Sequence, residues 1–202
     1  MKLLLHTCCA PCSVYCIKSL RKEGIEPVVY WFNPNIHPYI EYKTRRDTLK
    51  EYTKSIGINA IFDENYGLRE FCKNVVDDLE NRCVKYCYRV RLEQTAKYAK
   101  ENGYDTFSTT LLISPYQNHE ALKKIGEEMA EKYVPYYTAN SQKEGVIDRD
   151  VISQLMKDSC HTKPVVSYDD SSWVFGTLKW RIISKIKAPK FVKKVYRKIR
   201  GK

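Results

Sequence analysis

Short apolar runs alternate along the chain with longer stretches that repeat their apolar positions at helical spacing. Short branched or aromatic runs are typical of buried strands, and the helical period is typical of amphipathic helices. The predicted strands cover residues 2–6, 27–32, 58–62, 106–112 and 133–137. The predicted helices cover residues 11–22, 39–55, 66–80, 91–101, 118–132 and 147–157. This alternation predicts an α/β fold, Rossmann-like, with a mostly parallel sheet flanked by helices.

Local signals set several of the predicted helix boundaries. Pro11 suits the first turn of a helix, because its missing amide is not needed there. Gly24, Gly57 and Gly103 stand where three of the helices are expected to end. Asn118 can cap the next helix with its side-chain oxygen. The ligand crevice of such a sheet lies at the carboxyl ends of the strands, so we expect a functional site directly after the first strand.

The chain is long enough for one hydrophobic core, and its excess positive charge lies at one end. Its 202 residues carry a formal net charge of +11. Residues 176–202 contain 11 Lys and Arg and no Asp or Glu, so the other 175 residues balance 24 positive against 24 negative side chains. We therefore expect one α/β domain over residues 1–160 and a basic, aromatic C-terminal extension over residues 161–202.

The basic extension suits the phosphate backbone of a nucleic acid. Its aromatic residues are interleaved with positive charges, and phosphate contacts of this kind depend strongly on salt. The candidate nucleic-acid-binding residues are Lys179, Arg181, Lys193, Lys194 and Arg197. An amphipathic helix lying on anionic lipid and a solvated tail without a partner remain alternative interpretations.

The interpretation of the cysteines depends on the cellular compartment in which the chain is found. The start, MKLLLHTCCAPC, lacks the apolar region of roughly 7 to 15 residues that an export signal needs. No apolar run reaches the roughly 18 residues of a spanning helix, so we expect no stable membrane span. The expected location is therefore the reducing cytoplasm, where clustered thiols more often serve metal or redox chemistry than disulfides.

Five of the eight cysteines form two groups that are distant in sequence. Cys8, Cys9 and Cys12 follow the first strand and enter the first helix, whose N-terminal dipole favours thiolates. Cys83 and Cys87 share one face if their segment is helical. Together these thiols would suffice for an iron–sulfur cluster or a tetrahedral zinc ion. Structural zinc and unrelated buried cysteines remain open.

The other candidates give weaker signals. His6 lies in the first strand, just ahead of the thiols, where it could donate a proton in a reaction or hydrogen-bond a backbone group. Cys16 lies one helical turn after Cys12 and could reach the same site, but both Cys16 and Cys72 are expected to lie on the core faces of their helices. Cys160 stands in a segment, SCHTKP, that is typical of a loop.

Four segments carry a family resemblance. They are LLLHTCCAPCS, WFNPNIHPYIEYKTR, RCVKYCYRVRLEQTA and FSTTLLISPYQNHEALKKIGEEMAEKY. Together they span most of residues 2–137, and in this order they resemble the signatures of the non-cobalamin epoxyqueuosine reductases, the QueH type. The resemblance implies a fold related to the HUP class, a [4Fe-4S] cluster with a second metal ion, iron or zinc, and a tRNA substrate that carries epoxyqueuosine.

The resemblance also implies roles for individual residues. Cys8 and Cys9 match metal ligands of the family, and Cys83 and Cys87 match its later cysteine pair. Cys12 takes the last position of the C-C-A-P-x loop, which implies a place beside the second metal. The chain departs from the family at the later pair, which is usually C-x-x-C. It also departs at a usual Cys-Gly-Cys, for which Cys160 is the one cysteine present.

The implied reaction turns an epoxide into an alkene, consuming two electrons and two protons and releasing water. It requires a Lewis acid at the epoxide oxygen, a proton donor and electrons from an external donor. Cys12 and His6 are the candidate catalytic residues. A zinc-stabilised tRNA-binding module without redox activity is the alternative. Sulfur transfer through an activated nucleotide is disfavoured, because no glycine-rich phosphate loop follows the first strand.

Overall fold

The computed structural model describes residues 1–114 and 116–138, which form a four-stranded parallel sheet with helices on both faces. The strands in this part of the chain are β1 (Leu3–His6), β2 (Val28–Trp31), β3 (Ala60–Phe62) and β4 (Thr106–Thr109), in the order β3-β2-β1-β4. The helices are α1 (Ala10–Lys22), α2 (Tyr39–Ser55), α3 (Leu68–Val75), α4 (Tyr88–Glu101) and α5 (His119–Lys132). The predicted α/β class with a mostly parallel sheet is confirmed.

Strand β1 is buried on both faces, and its alternating side chains contribute to two separate cores. All of its residues are buried, as expected for a central strand of a parallel sheet. Leu3 and Leu5 pack in a cluster with side chains of α1 and α2, whereas Leu4 packs with side chains of α4 and α5. Each fully buried leucine contributes about 2 kcal/mol, so this short strand anchors both layers of helices.

The position of β1 in the sheet also determines where a ligand site is expected. β2 and β3 follow on one side of β1, whereas β4 pairs with its other side. In open parallel sheets the crevice at such a reversal of strand order is the usual ligand site. The segment that leaves β1 at this point carries the first thiol group.

Several helix boundaries follow the signals in the sequence. Pro11 lies in the first turn of α1, and Gly24 follows the helix with a φ of 76°. This left-handed conformation is readily available to glycine because it has no Cβ. Asn118 is the N-cap of α5, where its side-chain oxygen accepts a hydrogen bond from the amide of Ala121. These boundaries are set by local chemistry and were therefore predictable.

Three predicted elements differ from the structure. The strand predicted over residues 106–112 ends at Thr109, whose side chain accepts a bond from the amide of Leu111 and starts the 3-10 turn Thr110–Ile113. The helix predicted over residues 66–80 covers only Leu68–Val75, because little apolar burial supports a longer helix there. The strand predicted over residues 133–137 is a single parallel bridge between Phe107 and Tyr136.

Some predictions fall beyond the part of the chain that the structure describes. They are the helix over residues 147–157, the domain boundary at residue 160 and the extension over residues 161–202. Among the helices that are described, none combines the length and the apolar character needed to cross a membrane.

Candidate metal-thiolate site

Three cysteine thiols meet where β1 passes into α1. Cys8 follows the end of the strand, Cys9 is the N-cap residue of α1 in an extended conformation, and Cys12 lies in the first turn of the helix. Their Sγ atoms all lie within 4.8 Å of one another, and those of Cys8 and Cys9 are 3.8 Å apart. Within residues 1–114 and 116–138, no other three metal-ligating side chains come this close together.

Neighbouring strands fix the backbone of this thiol loop. Thr110, in the turn after β4, accepts a hydrogen bond from the amide of Cys8 at 3.4 Å and donates one to Cys8 Sγ at 3.8 Å. Asn33, which follows β2, donates to the carbonyl of Thr7 at 3.0 Å. Thr7, Asn33 and Thr110 are fully buried, so these hydrogen bonds are shielded from water and hold the loop firmly.

The three thiols of this loop share their protons unequally. Hydrogen bonds from Cys12 and Cys9 hold the pKa of Cys8 well below its usual value. The bond with Cys12 lowers the pKa of Cys9, but the bond with Cys8 and burial raise it more, to about 12. The bonds with Cys8 and Cys9, together with burial, raise the pKa of Cys12. In the metal-free loop Cys8 is therefore the first of the three thiols to lose its proton, and Cys9 and Cys12 retain theirs to higher pH.

His6 is completely buried, and both of its ring nitrogens have partners. Nδ1 lies 2.9 Å from Thr109 Oγ1, and Nε2 lies 3.3 Å from the carbonyl oxygen of Phe32. Because a carbonyl only accepts, Nε2 carries the proton and the Thr109 hydroxyl donates to Nδ1. Burial, assisted by the charge of Arg91, lowers the pKa of His6 to about 3. Of the two roles that the sequence left open, this geometry supports hydrogen bonding to the backbone.

The second thiol pair lies on a π-helical turn, Cys83–Cys87, that leads directly into α4. The two side chains hydrogen-bond to each other, which lowers the pKa of Cys83 to about 6 and, with burial, raises the pKa of Cys87. Cys83 packs against the same apolar cluster as Cys9 and Cys12, although the pair is not part of the 4.8 Å group. The second pair thus lies on the same side of the sheet as part of the first group but is not one of its closest contacts.

Two arginines that the sequence patterns did not indicate lie near the thiols, Arg45 partly buried and Arg91 buried. Arg45 pairs with Glu41, one turn earlier on α2, at 2.5 Å. Burial lowers the pKa of Arg45, but the charges of Cys9 and Glu41 raise it more. Arg91 on α4 is 5% exposed and donates from Nε to the carbonyl of Cys87 at 2.7 Å. The spacing of Glu41 and Arg45 on a predicted helix was the one available signal for these positions.

The remaining sequence candidates differ in their placement. Cys16 is buried in the core, as expected. Cys72 was predicted to be a core residue, which is wrong, because this face of α3 is exposed. Cys160 and the candidate phosphate contacts lie outside the described residues; these contacts are Lys179, Arg181, Lys193, Lys194 and Arg197.

The thiol loop fits a soft metal centre. The close group consists of thiols with no carboxylate among them, and thiolates select zinc, copper(I) and iron–sulfur clusters. A tetrahedral ion with a metal–sulfur distance of about 2.3 Å holds its sulfur ligands about 3.8 Å apart. The Cys8–Cys9 separation of 3.8 Å matches this value. The residues present can therefore hold a metal.

A parallel α/β sheet with a buried thiol cluster after its central strand defines a metal-thiolate α/β protein. A family model described as epoxyqueuosine reductase QueH matches residues 3–158. The chain belongs to this family, and the resemblance drawn from its four sequence segments is confirmed.

Relatives that carry the name epoxyqueuosine reductase QueH are similar over most of their length. The protein from Dehalococcoides mccartyi is 40% identical over 131 residues, which are 65% of this chain and 71% of that protein. The protein from Histophilus somni is 37% identical over 151 residues, or 71% of this chain and 61% of that protein. The protein from Thermotoga maritima is 33% identical over 158 residues, or 74% and 79%.

One solved structure is similar at lower identity. It is described as a predicted subunit of tRNA methyltransferase from Methanocaldococcus jannaschii. The match covers 77% of this chain and 74% of the other, with 15% identity and a TM-score of 0.45.

Proposed function

We propose that this chain reduces the epoxide of epoxyqueuosine in tRNA, giving queuosine, at a metal centre held by cysteine thiolates. The observation that carries the proposal is the convergence of Cys8, Cys9 and Cys12 at the carboxyl end of β1, in a chain of the epoxyqueuosine reductase family. The name of the relatives supplies the reaction and the substrate. The thiols supply ligands for the metal centre that would provide electrons for the deoxygenation.

The proposed metal ligands come from both thiol groups. Cys8 and Cys9 are assigned from the thiol loop, and Cys83 and Cys87 from the π-helical turn. The proposed cofactor is a [4Fe-4S] cluster, with a second metal ion, iron or zinc, beside Cys12. Such a centre supplies electrons and a Lewis acid for the epoxide oxygen when it is bound. Four cysteine thiolates are the usual ligand set of a cubane cluster, which supports the assignment.

The proposed role of Cys12 is to deliver a proton to the departing oxygen. Hydrogen bonds with Cys8 and Cys9 raise its pKa, so the metal-free thiol keeps its proton at neutral pH. The side chain is also only partly buried, which leaves it accessible from the crevice. We assign His6 to positioning this end of β1, because its two hydrogen bonds tie the strand to Thr109 and Phe32.

The balance of the reaction defines what must come from outside the chain. An epoxide becomes an alkene and water when it takes up two electrons and two protons, so an external electron donor is part of the proposal. A cytoplasmic location is also proposed, because reduced thiols and tRNA are both available there.

We propose that the basic extension holds the tRNA. Residues 176–202 carry all of the chain's excess positive charge. The proposed phosphate contacts are Lys179, Arg181, Lys193, Lys194 and Arg197. Contacts of this kind release counterions, so the affinity for tRNA should fall steeply with salt. Deleting residues 176–202 should weaken binding and flatten the salt dependence, and unchanged binding would reject this assignment.

The decisive experiment is an assay of the anaerobically reconstituted protein on tRNA that carries epoxyqueuosine. Mass spectrometry of the released nucleosides measures conversion to queuosine in the presence of a chemical reductant. We expect turnover by the wild type and its loss when Cys8, Cys9, Cys12, Cys83 or Cys87 is replaced by serine. A fully iron-loaded wild-type protein without turnover would contradict the proposed reaction.

A zinc-stabilised tRNA-binding module is the second candidate function. The 3.8 Å separation of the Cys8 and Cys9 sulfurs favours it, because that distance suits two ligands of a single ion. Metal analysis after purification without air separates the two functions. Stoichiometric zinc in a colourless protein that binds tRNA but does not turn over would favour the module, whereas iron and broad visible absorption would favour the reductase.

A further inference from the structure

Arg91 is a buried cation without a carboxylate partner in the described part of the chain. Its side chain lies in α4 and is 5% exposed. Nε donates to the carbonyl oxygen of Cys87 at 2.7 Å, and the guanidinium carbon lies 5.9 Å from the ring centroid of Tyr88. Among residues 1–114 and 116–138, no aspartate or glutamate forms an ion pair with it.

A buried charge of this kind needs a compensating charge. Removing a guanidinium from water is costly, and a neutral carbonyl and an aromatic ring recover only part of that cost. Arg45, a partly buried arginine near the thiols, meets the requirement with Glu41 at 2.5 Å. Among residues 1–114 and 116–138 Arg91 has no such carboxylate, so within this part of the chain its compensating charge comes from another kind of group.

The groups whose charge acts on Arg91 are cysteine thiols from both groups and the hydroxyl of Tyr88. Burial lowers the pKa of Arg91, whereas Cys87, Cys8, Tyr88 and Cys83 act in the opposite direction when they are ionised. These thiols come from both ends of the candidate site, the loop after β1 and the π-helical turn before α4. The charge of Arg91 therefore acts on both thiol groups.

We infer that Arg91 is the counter-charge of the metal-thiolate centre, a positioning residue that compensates the combined negative charge of the Cys8, Cys83 and Cys87 thiolates when they hold metal. This inference rests on the proposed metal centre. Each thiol that binds a metal releases its proton, so three or more thiolates around a divalent ion leave the centre with a net negative charge. The fixed positive charge of Arg91 stabilises that state more than it stabilises the metal-free site, in which fewer of the thiols are ionised.

Cobalt(II) binding tests this assignment without relying on turnover. The full chain is reduced, freed of metal and titrated with cobalt(II) against a competing chelator in the absence of air. Thiolate-to-cobalt absorption in the near ultraviolet reports binding at the cysteines. The variants are Arg91→Gln and Arg91→Met, which remove the charge, and Arg91→Lys, which keeps it. Arg89→Gln is the matched control, because Arg89 lies on the same helix but pairs with Glu128 at the surface.

We expect the neutral variants to bind cobalt(II) roughly ten- to a hundredfold more weakly than the wild type, the range of a typical coupling between two sites. Arg91→Lys should stay within about threefold of the wild type, because the charge is retained. Arg89→Gln should match the wild type. Thermal unfolding of each metal-free variant shows whether it is folded. If Arg91 served packing alone, the neutral variants would unfold at lower temperature without a selective loss of cobalt affinity.

Three outcomes would overturn the assignment of Arg91. The first is a folded Arg91→Gln protein with wild-type cobalt affinity. The second is an equal loss in Arg91→Lys and Arg91→Gln, which would assign the effect to shape. The third is that neither neutral variant folds without metal while Arg91→Lys does, because the charge would then serve the metal-free fold. A wild-type protein without thiolate-to-cobalt absorption would instead refute the metal centre itself.

Discussion

The two thiol-bearing regions of the molecule are built in different ways. The loop after β1 leaves the middle of the sheet and is fixed by buried side chains from both neighbouring strands, Thr110 and Asn33. The π-helical turn follows α3, a short helix with one buried residue. Large apolar side chains around that turn remain exposed, namely those of Leu68, Val76, Leu79 and Val84.

This difference separates a site fixed by the fold from one fixed by a local turn. The first region gains its order from the cooperative core, since its hydrogen bonds are buried together with β1 and β4. The second region has few buried contacts and depends on the link between the π-helical turn and α4. Regions with few buried contacts open more easily, so we expect the second thiol pair to be the more reactive one.

The largest expected effect concerns a thiol of the first region. Replacing Cys9 with serine removes a soft ligand from the centre of the buried group, and serine does not replace a thiolate as a metal ligand. We expect turnover on epoxyqueuosine-containing tRNA to fall by more than about a hundredfold, since even groups outside the ligand shell often cost ten- to a hundredfold. Nucleoside mass spectrometry measures the loss of turnover, and iron analysis of the same sample measures the accompanying loss of iron.

Cys72→Ser is the matched control for this change. Cys72 is exposed on α3, outside the close thiol group, so its replacement should leave turnover and iron content at the wild-type level. If Cys9→Ser kept its iron and its activity, the thiol loop would not be the metal site.

The next effect compares the reactivity of the two regions in the metal-free protein. The bond with Cys87 lowers the pKa of Cys83 to about 6, whereas burial and the bond with Cys8 outweigh the bond with Cys12 and raise the pKa of Cys9 to about 12. A thiolate is the reactive form, so alkylation of Cys83 by iodoacetamide should rise with pH through about 6 and then level off. Alkylation of Cys9 should still be rising at pH 9.

At pH 7 we expect Cys83 to react about a hundredfold faster than Cys9, after allowing for the lower nucleophilicity of a low-pKa thiolate. Peptide mass mapping after timed quenching gives both rates from one sample, and urea-unfolded protein gives the reference in which they converge. Equal rates in the folded protein would remove the distinction between the two regions.

The sequence predicted the first region well, because its boundaries depend on local chemistry. The apolar run LLL defined β1, Pro11 marked the start of α1, and the three thiols followed from their position between the two. Helix α2 has the predicted bounds, Tyr39–Ser55. Each of these features can be read within a few residues of the chain.

The remaining features depend on contacts between distant residues. The strand over residues 106–112 is cut short by the side chain of Thr109, which caps a turn instead of continuing the ladder. The apolar pattern of α3 indicated a buried face, but the described residues leave Cys72 exposed. The burial of Arg91 among thiols follows from the packing of α4 on β1, which no local pattern encodes.

The contact between Gly67 and Pro34 tests how the second region is held. Gly67 precedes α3 with a φ of 62°, and an added Cβ would lie 2.6 Å from the Cβ of Pro34. Gly67→Ala should therefore destabilise the protein by about 2 kcal/mol or more, from backbone strain plus the clash. Gly57 has a φ of 65° and no atom within 4 Å of an added Cβ, so Gly57→Ala should show only the backbone cost of about 1 kcal/mol.

Urea unfolding of the two glycine variants gives the difference between them. A larger loss in Gly67→Ala would assign part of the stability to the contact between α3 and the loop after β2. If the two variants lost the same stability, the contact between Gly67 and Pro34 would not contribute to the stability of the region around α3.

The smallest expected effect concerns the hydroxyl that ties β4 to the thiol loop. Thr110→Val keeps the shape of the side chain but removes the acceptor for the amide of Cys8 and the donor to its sulfur. The amide of Cys8 would then be buried without this partner, so we expect the free energy of unfolding to fall by about 1 kcal/mol. Thr110→Ser retains the hydroxyl and should recover most of that loss. If Thr110→Ser lost as much stability as Thr110→Val although it retains the hydroxyl, the hydroxyl would not account for the loss, and the first region would then be held by its core alone.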